Sequence, residues 1–257
     1  MIRQGSQGTR RRLSGLLVVC AAISGFWVGG VSAQSTGMPE EARDRPVDGA
    51  VAASMAQAVA MRDAVVAAIS AAGFKCAVPP PTVIVQDVFS YGSYDEQANT
   101  LTVSAWSLLS EAAKARFFRV AGPGATEKAA QTEFETGVYH WVRVHEMGHW
   151  WQACQHVTNE KQPYAFEYGA NRIAAAYWRD HDASVIAHQR GIFKYVLDRV
   201  PSPIAAGESS EAYFDAHYPD KFKSGPEYTW FQAGMCLKVF DETPAPSFAQ
   251  ALKDTKP

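Results

Sequence analysis

Cysteine is scarce in this chain of 257 residues, and so are long blocks of like charge and internal repetition. The four cysteines are Cys20, Cys76, Cys154 and Cys236. They stand too far apart to form the paired spacings of a zinc knuckle. No long basic block occurs, which argues against a nucleic-acid partner. No repeat period is visible. Apolar residues make up 47% of the chain and aromatic residues 12%. That content supports a sizeable core and excludes a low-complexity tract. The length suits one domain.

The first 33 positions lack any acidic residue. They start with Arg3, Arg10, Arg11 and Arg12 and continue through an apolar run over 13–31. Val31, Ser32 and Ala33 then offer the small-x-small pattern of a cleavage site. We read residues 1–33 as a secretory signal peptide and 34–47 as a flexible leader, which leaves a single domain over 48–257. Arg10 and Arg11 also suit twin-arginine export. The glycines at 25, 29 and 30 weaken the run as a permanent anchor, so no stable membrane insertion is expected after cleavage. Removing 1–33 takes four arginines and no acid from 24 basic and 26 acidic residues, leaving a formal charge of −6. The expected location is secreted or periplasmic. Cys20 departs with the signal. In an oxidising compartment one disulfide and one free thiol remain, with three pairings open. Cys154 with Cys236 is favoured, since both fall in the helical half.

The domain reads as α+β. Residues 48–72 form an alanine-rich helix ended near Gly73. After Pro79, Pro80 and Pro81, the β-branched run 82–85 is a strand. Residues 91–99 are turn-rich, and 100–106 alternate as a second strand. Ser107 is placed to cap a helix running to about 120. Gly122, Pro123 and Gly124 break the chain. Thr132 and Glu135 have the spacing of a capping box and predict a long helix from there to about His156. Further helices are expected over 164–180, 183–200 and 227–240, the last with Pro226 at its start.

The long helix contains "VHEMGHWW". Residues four apart lie one above the other on a helix, so His145 and His149 point the same way. Glu146 is rotated by about 100° and flanks them. Two imidazoles sharing an ion, with a carboxylate beside them to take a proton from water, is the chemistry of HExxH. With seven histidines in the chain, composition alone yields the pattern in roughly one such chain per hundred. Burying these polar groups among Val142, Val144, Met147, Trp150 and Trp151 requires a partner, and a metal ion supplies one.

A catalytic site needs a third protein ligand. A histidine six positions after His149 is excluded, because Gln155 stands there. His156 is one residue too late, and Gln152 occupies the matching glycine position. Glu167 fits instead, on the next helix after an antiparallel return. Asn171, one turn on, is placed to accept the distal N–H of a ligating imidazole. Glu160 is the rival carboxylate, but it falls in the intervening loop.

HEMGH followed by Glu167, Ala170 and Asn171 resembles the gluzincin metallopeptidases, the thermolysin-like branch of the zincins. The likeness covers about 100–178, with its strong signal in 145–171. It implies a zincin-like fold: a short sheet with an edge strand, an active-site helix and a mainly helical C-terminal half. It implies Zn²⁺ on His145, His149 and Glu167, Glu146 as general base, and a peptide or protein substrate. Residues 102–105 would border the cleft as the edge strand. The family often has aspartate where Asn171 stands. Its oxyanion donor comes from the C-terminal half, where Tyr228 and His217 are the candidates. Trp150, Trp151, Phe166 and Tyr168 are candidate walls of the site. Two other readings stay open: a non-catalytic metal-binding or scaffolding protein of the cell envelope, and a zinc hydrolase of a non-peptide amide.

Overall fold

The computed structural model describes residues 49–88, 90–218 and 225–256. The signal peptide and leader assigned to 1–47 lie outside the described residues. Within them the class is α+β, with one three-stranded sheet and a larger helical part.

Helix α1 (Gly49–Ala71) buries Ser54, Ala58, Val65 and Ile69, at spacings of four and seven that mark one helical face. The chain leaves it through Gly73 at φ +87°, a conformation that side chains with a Cβ resist. By length and composition α1 is the one helix among the described residues able to cross a membrane. Its buried face rests on the sheet and on the helix that carries the histidines.

Strands β1 (Thr82–Val85), β2 (Gly92–Asp95) and β3 (Thr100–Val103) form a sheet in the order β1-β3-β2. β1 runs parallel to β3, and β2 runs antiparallel to it. Two expectations change here. The stretch 91–99 is not all turn, because 92–95 pairs as a strand. The strand at 100–103 is central, with Thr102 opposite both Ile84 and Ser93. The edge beside the histidine helix is therefore β2, not 102–105. Glycine, serine and aspartate are poor strand formers, so local propensity hides β2. Its place depends on a tertiary fit. A Cβ on Gly92 would lie 2.5 Å from Val142 Cγ1, so only glycine lets the strand approach.

Helix α2 (Glu111–Ala121) is capped by Ser110, whose hydroxyl accepts the Ala113 N–H, and not by Ser107, which sits in a short 3₁₀ turn. Helix α3 (Glu127–Phe134) starts at Thr126, whose hydroxyl accepts the Ala129 N–H. It continues through a π-helical stretch, Glu135–Val142, into α4 (Arg143–Cys154). The expected capping box is thus interior to the helix. Thr132 donates to the Lys128 carbonyl one turn back. The earlier threonine, just past the Gly-Pro-Gly break, claims the helix start.

Helices α5 (Pro163–His181), α6 (Ala183–Arg199), α7 (Ser210–His217), α8 (Gly225–Phe240) and α9 (Phe248–Asp254) complete the described chain. The sequence reading holds neither α7 nor α9. The core joins Val65 and Ile69 of α1, Leu101 and Val103 of β3, and Val144, Met147 and Trp151 of α4. Ile173 of α5, Val239 of α8 and Leu252 of α9 close it. Three tryptophan N–H groups in this core are paired with carbonyls: Trp151 donates to Leu252 O, Trp150 to Pro79 O and Trp178 to His140 O.

The disulfide joins Cys76 to Cys154, with Cα atoms 5.3 Å apart, and Cys236 is a buried free thiol. The favoured Cys154–Cys236 pairing is therefore corrected. The C-terminal end of α4 reaches toward the segment between α1 and β1, where Trp150 also bonds Pro79, whereas Cys236 turns its thiol to Asn171. The bridge closes a sequence separation of 78 residues, so it removes much unfolded-chain entropy. Reduction, or the double change Cys76→Ser and Cys154→Ser, should lower unfolding free energy by about 2–5 kcal/mol. Urea titration would show this as a lower midpoint with a steeper slope, because the unbridged unfolded chain exposes more surface.

Candidate metal centre

Helix α4 presents His145 and His149 on one face, and their Nε2 atoms converge to 3.1 Å. Helix α5 runs back antiparallel to α4 and delivers Glu167. Its Oε2 lies 3.3 Å from His145 Nε2 and 3.6 Å from His149 Nε2. The return is close because Gly148 lacks a side chain. A Cβ there would meet the Ala170 Cα at 3.0 Å and its carbonyl oxygen at 3.1 Å. All three donor residues are buried, with Glu167 only 4% exposed. These side chains form a group able to hold a metal ion. A tetrahedral ion with bonds of about 2.0–2.1 Å sets its ligand atoms roughly 3.3 Å apart. The observed spacings suit that ion and its two-nitrogen, one-oxygen donor set.

A layer of neutral amides stands behind these donors. His145 Nδ1 donates to Asn171 Oδ1 at 2.9 Å, and His149 Nδ1 donates to Gln152 Oε1 at 2.7 Å. Each bond selects the tautomer that leaves a lone pair on Nε2, where an ion would sit. Gln152 is held in turn, because its Nε2 donates to the Phe166 carbonyl at 2.7 Å. Gly169 makes room for it, since a Cβ there would stand 2.9 Å from that nitrogen. Phe166 stacks on the His149 ring, centroids 4.6 Å apart. From α8, Gln232 donates to Glu167 Oε2 and accepts from Asn171 Nδ2. Cys236 donates its thiol to Asn171 Oδ1 at 3.2 Å.

Glu146 is 8% exposed and accepts the outward-facing Tyr94 N–H of β2 at 2.8 Å. Burial raises its pKa, and the nearby Glu167 adds to this, while the two histidines act in the other direction. Burial would also raise Glu167, but His149 and His145 outweigh it and hold that carboxyl far below the usual range. For His149, burial opposes protonation, yet Glu167 and Glu146 prevail and lift the ring to about 9. The two carboxylates of this buried site are thereby shifted in opposite directions, Glu167 down and Glu146 up.

Tyr228 lies in the first turns of α8, and its hydroxyl accepts from the same Gln232 nitrogen that serves Glu167. His217 ends α7, where its Nδ1 donates to the Tyr213 carbonyl at 2.7 Å. The metal trio does not include it. Of the four aromatic candidates, Phe166 touches the donors. Trp150 and Trp151 are core residues, and Tyr168 donates to Glu242. His140 packs on Trp178, His181 stacks on Tyr177 and His188 pairs with Glu133. Glu160 is exposed in its loop.

Sequence reasoning missed Gln152, Gln232 and the Tyr94 amide. Gln152 was within reach, since it stands three residues after His149 on the same helix face. Gln232 has no local signal; it meets Glu167 across 65 residues of sequence. Comparison with protein-family models, curated proteins and solved structures finds no match to this chain.

Proposed function

We propose that this chain is an exported, zinc-dependent peptidase with a zincin-like fold, acting on peptide or protein substrates in the manner of the gluzincins. The observation that carries this reading is the convergence of His145, His149 and Glu167, with Glu146 buried beside them. The N/O donor set and short spacings favour zinc over calcium, which takes six to eight oxygens at longer range. The Cys76–Cys154 bridge supports an oxidising compartment, in line with a secreted or periplasmic location.

Zinc held there would polarise a substrate carbonyl and make its bound water acidic near neutral pH. The chain's own residues do the rest. Glu146 accepts the proton at its carboxylate and returns it to the departing amine. Tyr94 N–H holds Glu146 Oε2 in place and leaves the other oxygen for that proton. Asn171 and Gln152 keep both imidazoles in the ligating tautomer. Tyr228 and His217 are the candidate donors to the developing oxyanion.

Digestion of casein or a peptide library by the mature protein tests this reading. Cleavage should vanish with chelator and return with zinc; cleavage that ignores the chelator overturns it. Zinc uptake should also depend on pH. Below about 9, His149 carries a proton that an ion must displace, so the apparent dissociation constant should rise about tenfold per unit of falling pH. Titration against a colorimetric chelator between pH 6 and 8 measures that slope.

A further inference from the structure

Resting on the metal-centre reading above, we propose that Gln232 is the positioning residue through which α8 closes the site carried by α4 and α5. Its single amide touches three groups. Oε1 accepts from Asn171 Nδ2 at 2.8 Å. Nε2 donates to Glu167 Oε2 at 2.8 Å and to the Tyr228 hydroxyl at 2.8 Å.

The orientation of that amide follows from its neighbours. Asn171 Oδ1 already accepts from His145 Nδ1 and from the Cys236 thiol. Asn171 therefore turns its Nδ2 toward α8, where only an acceptor fits. That places the oxygen of Gln232 on Asn171 and its two N–H groups on Glu167 and Tyr228. Each bond acts on a different part of the centre. The bond to Asn171 steadies the tether of His145. The bond to Glu167 falls on Oε2, the oxygen that faces both imidazoles. It occupies one lone pair of that oxygen and directs another between the rings, as a ligand bonding through one oxygen requires. The third bond locates Tyr228 relative to Glu167.

A neutral amide suits this place better than a charged group. A lysine would compete with the ion for Glu167, and a carboxylate would repel it. Asparagine carries the same chemistry on a side chain one methylene shorter and cannot span the three partners from α8.

The test uses the full mature chain loaded with Co²⁺, whose visible absorption reports ligand geometry. Two variants are compared with the parent: Gln232→Met, which keeps volume and loses the amide, and Gln232→Asn, which keeps the amide and loses reach. For each, folding is checked by far-UV circular dichroism in chelator, and affinity by chelator competition. Both should fold, bind Co²⁺ about 10–100-fold more weakly than the parent and show an altered visible band. Should Gln232→Met fail to fold, Gln232→Asn decides. Parent-like affinity and an unchanged band in a folded variant would overturn the role of Gln232 while leaving the metal centre intact. A parent chain that binds no Co²⁺ would overturn the metal centre itself, and the role of Gln232 with it.

Discussion

Glu146→Gln should leave metal content unchanged and reduce kcat for peptide hydrolysis by about 10²–10⁴-fold. The change is nearly isosteric. The amide keeps an oxygen for the Tyr94 N–H, so its contact with β2 survives. His145, His149 and Glu167 are untouched. What disappears is the ability to take a proton from water and pass it on. The native carboxyl is buried with Glu167 nearby, which raises its pKa. Removing that charge relieves a desolvation cost. The variant should therefore melt no lower than the parent, and this separates lost chemistry from lost fold. Metal analysis, thermal melting and turnover on one peptide form the complete test. Undiminished turnover would exclude Glu146 as the base. Metal binding in a parent chain that hydrolyses neither peptides nor cell-wall amides would favour the scaffolding role.

Gly148→Val should lower metal affinity by more than about 100-fold, beyond the usual effect of losing an outer hydrogen-bond partner. Position 148 lies between the two histidines but faces the other helix. Even an added Cβ would sit within 3.2 Å of three Ala170 atoms, two of them backbone. Backbone cannot rotate aside, so α5 must move. Glu167 and Asn171 flank Ala170 on the same helix and move with it. A shift of about 1 Å is enough to take Glu167 out of register with the imidazoles. The overpacking itself should destabilise the fold by about 1–3 kcal/mol. Glu167→Ala supplies the comparison: it should lose the ion to a similar degree without forcing the helices apart. Equal metal affinity in Gly148→Val and the parent would show that this helix contact does not set the site.

The helical placement of His145, Glu146 and His149 was legible because local signals agree. Four-residue spacing, apolar flanks and a helix ending near His156 all lie within one stretch of chain. The start of α8 was legible for the same reason, with Pro226 in its first turn, whereas Pro163, which reads as the end of the preceding loop, opens α5. Glu167 could be proposed because the loop before α5 is short enough to force a return. The cap at Thr126 was missed because a better-looking pattern stood six residues later. Only packing of the preceding turn decided between them.

By itself, the amino-acid order determined that α1, α4, α5, α6 and α8 are helices, which residues share a face, and that two imidazoles and a carboxylate ride on α4. Tertiary structure alone decided the rest: the strand beside α4, the partner of Cys154, and Gln232 beneath Glu167. The physical reason is range. Spacing and capping act over a few residues and are written locally. Gly92 against Val142, Cys76 against Cys154 and Gln232 against Glu167 are close approaches between segments 50 to 78 positions apart. Their identity becomes meaningful only once the core has brought those segments together.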